Sequence, residues 1–247
     1  MANWNDTDQR QGFGSVPRAG DAVARQETFD AGLRKHMLSI YNYMTSGVLL
    51  TGVVALLAAQ SGLAVSFASG PLMWIVALAP LGFVLAMSFG LNKMSKGTLQ
   101  ILFWSFAIVM GLSMSTIFLR FTGESIAATF FATAGAFAGL SLFGYTTKKD
   151  LSGWGSFLVM GVIGILIAMV INIFLQSAAL ELAVSILGVL IFAGLTAYDT
   201  QRLKSDYQRL RGTSWEGKSI ILGALSLYLD FINMFLFLLR FMGAARN

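Results

Sequence analysis

Cysteine is absent from this chain, histidine occurs once, proline three times, and only 12% of the 247 residues are charged. Without cysteine there is no disulfide framework, no thiolate nucleophile and no Cys-based metal site. One histidine, His36 at the edge of an apolar run, leaves no paired-His metal motif and no Ser-His-Asp set, and no glycine loop of the phosphate-cradling kind occurs. No enzyme activity and no cofactor are expected. Soluble domains are about 25% charged; this chain is 56% hydrophobic, so lipid is the solvent for most of it. The isoelectric point of about 9.6 does not point to nucleic acid. Its basic residues stand in the tail and between apolar runs, where they orient helices.

What is present is a polar start followed by seven apolar runs. Residues 1–35 are polar and mixed in charge, without the basic start and short apolar core of a secretory signal. They read as a flexible cytoplasmic tail before a single membrane domain, 36–247. The runs are Met37–Ala59, Leu72–Leu91, Thr98–Leu119, Ile126–Tyr145, Trp154–Phe174, Leu182–Tyr198 and Ile220–Met242. Each is too long for a barrel strand and suits a transmembrane helix of ~20 residues. If the seven alternate, most of the 17 Lys and Arg residues fall on one side: the tail, Lys93 and Lys96, Lys148 and Lys149, and the run from Arg202 to Lys218. The positive-inside rule then places the N-terminus in the cytoplasm. Arg240 and Arg246 fall on the other side; a last segment that re-enters would move them, but its length favours a full crossing.

Small residues at Gly135 and Gly139, at Gly161 and Gly164, and at Gly47 with Thr51 are expected to let helices approach closely. Trp74, Trp154 and Trp215 read as interfacial anchors, as does His36, and Asn172 reads as an interhelical hydrogen bond.

Two of the twelve acidic residues lie within or against the apolar runs, Asp199 and Asp230. An Asp at a helix centre costs about 2.5–3.5 kcal/mol on insertion scales, so each needs protein or water beside it. In the last helix Gly223, Ser226, Asp230, Asn233, Phe237 and Arg240 recur at spacings of three or four and form one polar or small-residue face. Ser226 and Asn233 are the supporting polar seam, and the face places this helix at the centre of a bundle. Asp199 shares a face with Ser185, Gly188, Phe192 and Leu195. Two readings of it stay open: an interfacial acid paired with Arg202, or a partner of Asp230. The second requires helix six to run past Asp199, or helix seven to begin deep. If the carboxylates meet, desolvation and repulsion disfavour double ionisation, giving a proton-sensitive joint. The same oxygens suit a hard divalent cation such as Ca²⁺, held transiently by Asp199 and Asp230.

The segments YNYMTSGVLLTGVVA at Tyr41, KKDLSGWGSFLVMGVIG at Lys148, GLTAYDTQRLK at Gly194 and ALSLYLDFINMFLFLLRFMG at Ala224 resemble the bacterial branch of the Bax inhibitor-1 (TMBIM) family. The resemblance covers about Leu33–Gly243. It implies an all-α integral membrane protein of the bacterial inner membrane, in which six transmembrane helices surround a central C-terminal seventh. It also implies a pH-dependent leak of calcium ions, with the motif aspartates, here Asp199 and Asp230, hydrogen-bonded as proton sensor and gate. Relatives can carry a charged latch on or after the second helix, where this chain has Lys93 and Lys96 and no acid. The alternative the resemblance offers is a regulatory protein docking on another membrane protein such as a membrane protease, through the basic stretch from Gln201 to Ser219 and the tail.

Overall fold

The computed structural model describes residues 19–68 and 72–245. Among them every regular element is a helix, and seven helices are long and apolar enough to cross a bilayer, as the sequence implies. A helix satisfies its own backbone groups, which lipid would leave unpaired. The elements are α1 (Ala19–Gln60), the short α2 (Leu63–Phe67), α3 (Leu72–Gly90), α4 (Lys96–Met114), its continuation α5 (Ile117–Arg120), α6 (Gly123–Thr146), α7 (Ser152–Leu175), α8 (Ala178–Leu210) and α9 (Glu216–Met242). Of the expected tail, residues 1–18 lie outside the described residues, and α1 already runs from Ala19. Helix α8 likewise continues well past Tyr198 to Leu210. Both extensions are polar enough for hydropathy to end the span while helical periodicity carries on.

Local chemistry sets the ends. The hydroxyls of Ser95, Thr122 and Ser177 accept the backbone N–H groups of Thr98, Ser125 and Leu180, capping α4, α6 and α8. Asn172 does not bond between helices as expected. Its Oδ1 accepts the Ser177 N–H at 2.9 Å, closing the tight turn in which Gln176 takes a left-handed conformation. The turn from α8 to α9 uses Gly212 at φ 73°, whose N–H is accepted by Glu216.

Helix α9 is the best sheltered span. Within its most apolar stretch 67% is buried by protein, against 11% for α3 and for α7. Its principal neighbours are α8, α1, α6 and α4. Tyr228 packs edge-on against Phe103 and Phe106 of α4. Its hydroxyl donates to Thr51 on α1, whose own proton goes to the Ala107 carbonyl, so one chain of bonds ties three helices. Phe231 meets Phe130 and Phe137 of α6 in the same edge-on manner.

The last helix is long and apolar enough for a complete crossing. It is an unbroken 27 residues, about 40 Å at 1.5 Å per residue. The chain just beyond it bonds to the start of α6: the Ala244 carbonyl accepts the Thr122 N–H, and the Ala244 N–H donates to Ser125. The opposite end of α9 lies by Leu91, whose carbonyl accepts from Lys218.

Close approach uses only some of the glycines that the spacing implies. A Cβ on Gly135, Gly139 or Gly164 would meet nothing within 4 Å, because these positions face outward. Gly47 does pack, beneath the ring of Phe103, and Gly161 beneath Ile191. The tightest backbone approach between two helices among the described glycines is at Gly144 of α6, where a Cβ would strike the Ala197 carbonyl of α8. A small-residue pattern marks a face without saying what covers it.

Candidate functional site

Helices α8 and α9 form an antiparallel hairpin, and its register decides which polar groups meet. Leu203 packs on Gly223, and deeper in the bundle Gly188 lies under the ring of Phe237, which stacks on Phe192 at 5.8 Å. Between these contacts Ser226 stands level with Asp199, and its hydroxyl donates to Asp199 Oδ2. Asp230 lies four residues further along α9, one helical turn or about 6 Å deeper. The extension of α8 beyond Asp199 is what makes this pairing available.

Asp199 and Asp230 are both buried. Asp199 is well supplied: besides Ser226, the Arg202 guanidinium lies 3.3 Å from Oδ2, from one turn on along α8. The same Nη2 donates to Ser226 at 3.1 Å, and the guanidinium stands over the Tyr198 ring. Arg202, Asp199 and Ser226 thus form a closed triangle across the two helices. Asp230 is not so supplied. No donor in the described residues reaches its Oδ2, although the atom is fully buried. The charged groups whose fields reach it are Asp199 and Arg202. A buried carboxylate oxygen without a donor is unusual, since such groups are nearly always paired with protein or water.

The other sequence candidates sit elsewhere. Asn233 turns its amide to the Leu229 carbonyl of its own helix at 2.8 Å, so the seam at its level is closed locally. Lys93 is exposed, and Lys96 lays its stem across Gly217 at the start of α9. Neither pairs with Asp199; the charge beside that carboxylate is Arg202. His36 is no exposed anchor. It is buried against the Tyr207 ring at 5.1 Å, and neither ring nitrogen has a hydrogen-bond partner among the described residues. The polar extension of α8 covers it.

Cavities flank the cluster on both sides. One of about 300 Å³ runs between Trp215, Ser219 and Leu91 down to Arg202 and Ser226. On the opposite side, a cavity of about 500 Å³ carries Arg120, Glu181 and Arg240 and reaches down to Leu236. Between Ser226 and Leu236 lie about 15 Å of packed helix, with Asp230 inside it.

A set of hydroxyls not foreseen from sequence adjoins the cluster. Thr200, next to Asp199, gives its proton to the Thr196 carbonyl, so Ser141 must donate to Thr200 and Tyr41 to Ser141. The partners Tyr41 and Ser141 lie a hundred positions apart with no shared motif, so only the fold could bring them together.

Residues 33–247 match the family described as inhibitor of apoptosis-promoting Bax1. The chain belongs to the Bax inhibitor-1 family. Similar members include an uncharacterized protein of Caulobacter vibrioides, 48% identical over 88% of this chain and 92% of its own. The inner membrane protein YbhL of Escherichia coli is 46% identical over 87% and 94%. A membrane protein of Streptococcus pyogenes is 33% identical over 87% and 94%. Within this family frame the triangle on Asp199 and the donorless oxygen of Asp230 occupy the two Asp motifs that carry the resemblance. Among the described residues no three acidic or histidine side chains gather as a metal site.

Proposed function

We propose that this membrane protein is a non-enzymatic, pH-sensitive leak for calcium ions, gated at Asp199 and Asp230 and oriented with its N-terminus in the cytoplasm of a bacterial inner membrane. The observation that carries the reading is the donorless, fully buried oxygen of Asp230, one turn from a second buried carboxylate. Such an oxygen is costly to bury bare and has to be met by a proton, a water or a cation. Carboxylate oxygens are the ligands a hard divalent ion takes.

A shut conformation on this reading is supported by the packed helix between the two cavities. Vestibules reach the cluster from one side and Leu236 from the other, and packed helix separates them. Arg202 and Ser226 hold Asp199 at the end of the first vestibule, which ties α8 to α9. Exchange of a proton for a cation at Asp230 changes the charge facing Asp199, and so the balance of that tie. Opening is then a separation of α8 from α9 at this level. The orientation is supported by the excess of Lys and Arg on the side where α1 begins.

Purified protein in liposomes loaded with a calcium-sensitive dye tests the reading. Flux that varies with pH and loses that dependence in Asp230→Asn and Asp199→Asn is the expected result. Flux indifferent to pH, or unchanged in both variants, would refute it.

A further inference from the structure

A further cleft, between α1 and α6, lies outside that site. It is a trough of about 560 Å³ between α1 and α6, lined on α1 by Met37, Tyr41 and Met44 and on α6 by Ala134, Phe137 and Ala138, with Arg34 at one end. α1 and α6 run in opposite directions, and the Tyr41–Ser141 hydrogen bond sets their register. Arg34, seven residues before Tyr41, and Tyr145, four after Ser141, therefore stand at the same end of the trough.

Three features define what fits. The lining runs over Arg34–Thr45 and Ala134–Tyr145, about 16 Å of each helix, which is half of a ~30 Å hydrocarbon core and therefore one leaflet. The hydroxyls midway along its wall are already committed: the protons of Tyr41 and Ser141 pass along the chain ending at the Thr196 carbonyl, so neither offers a donor to an occupant. The remainder of the lining is mostly apolar. Its mouth is cationic. Arg34 is exposed with no ion pair among the described residues, and exposed Lys148 follows Tyr145 at the same end. Acids at this end of the molecule include Asp30, one turn before Arg34, and Asp150, which accepts the Ser152 N–H.

We propose that this trough is a lipid site, holding one acyl chain of an anionic phospholipid from the leaflet at that end, with the phosphate against Arg34. Because the Tyr41–Ser141–Thr200 bonds join its wall to the residue after Asp199, an occupied trough braces α8 beside the acidic cluster. The lipid site stands whether or not the protein conducts calcium.

The test is native mass spectrometry of the full chain released from bilayers of equal phosphatidylglycerol and phosphatidylcholine. Wild type is expected to retain phosphatidylglycerol about fivefold over phosphatidylcholine, the ratio given by ~1 kcal/mol per basic residue at an anionic surface. Ala138→Phe fills the trough from an exposed position and should abolish retention, while Arg34→Gln should keep a lipid and lose the preference. Arg34 is at the surface, so its variant gives a result even if the phenylalanine disturbs folding. Equal retention of both lipids by wild type, an undiminished preference in Arg34→Gln, or full retention by a normally eluting Ala138→Phe protein each overturns the proposal.

Discussion

The Ser226 hydroxyl donates to the Asp199 carboxylate across the α8–α9 interface, at the level where Arg202 also reaches both. Ser226→Ala leaves the carboxylate with one partner and no replacement donor. Hydrogen bonds to charged groups contribute about 1.5–3 kcal/mol. A loss of stability in that range is expected by chemical denaturation in detergent, together with a faster basal calcium leak in liposomes.

Arg202→Gln removes the counter-charge of Asp199. The guanidinium side is 44% exposed, so solvent already screens much of the pair and the expected loss is about 1 kcal/mol. In a double-mutant cycle with Asp199→Asn the two losses should be less than additive, since each removes the same contact. Strict additivity would mean that the ion pair contributes nothing.

The fold was readable largely because lipid constrains it so strongly. Seven apolar runs became seven spans, and the polar face of α9 lies in the best-sheltered helix. The site was readable only in its residue types. Asp199 and Asp230 stood out as acids among apolar residues, and the Arg202 alternative for Asp199 is the pairing found. The partners of each followed from details invisible to hydropathy: how far α8 continues, and the register that its turn to α9 imposes. His36 illustrates the same limit, because Tyr207, which buries it, lies beyond the apolar run that ends at Tyr198.

Glycine substitutions separate packing from pattern. Gly144→Ala places a methyl against the Ala197 carbonyl, a backbone group that cannot turn aside, and overpacking of this kind costs about 1–3 kcal/mol. Gly139→Ala meets open space and should be neutral or slightly stabilising. Thermal unfolding of the two variants side by side checks the contrast.

Asp150 supplies a pH-dependent start to α7. Hydrogen bonds from Ser152, side chain first and then backbone, hold its exposed carboxyl below the usual range. A group with a lowered folded-state value stabilises above its unfolded value, ~3.9, and loses that contribution as pH falls through the folded one. Amide exchange at Ser152, corrected for its intrinsic pH dependence, should accelerate in acid for wild type and show no such step in Asp150→Asn.

The proposed leak requires Asp230 to exchange a proton for a cation as the protein opens. Infrared difference spectra of the reconstituted protein, taken as pH and calcium are varied, test it directly when the carboxylic acid band is assigned through its loss in Asp230→Asn. That band should change over the same pH interval as calcium flux and be displaced by calcium. An Asp230 band that stays constant while flux changes would rule out that exchange.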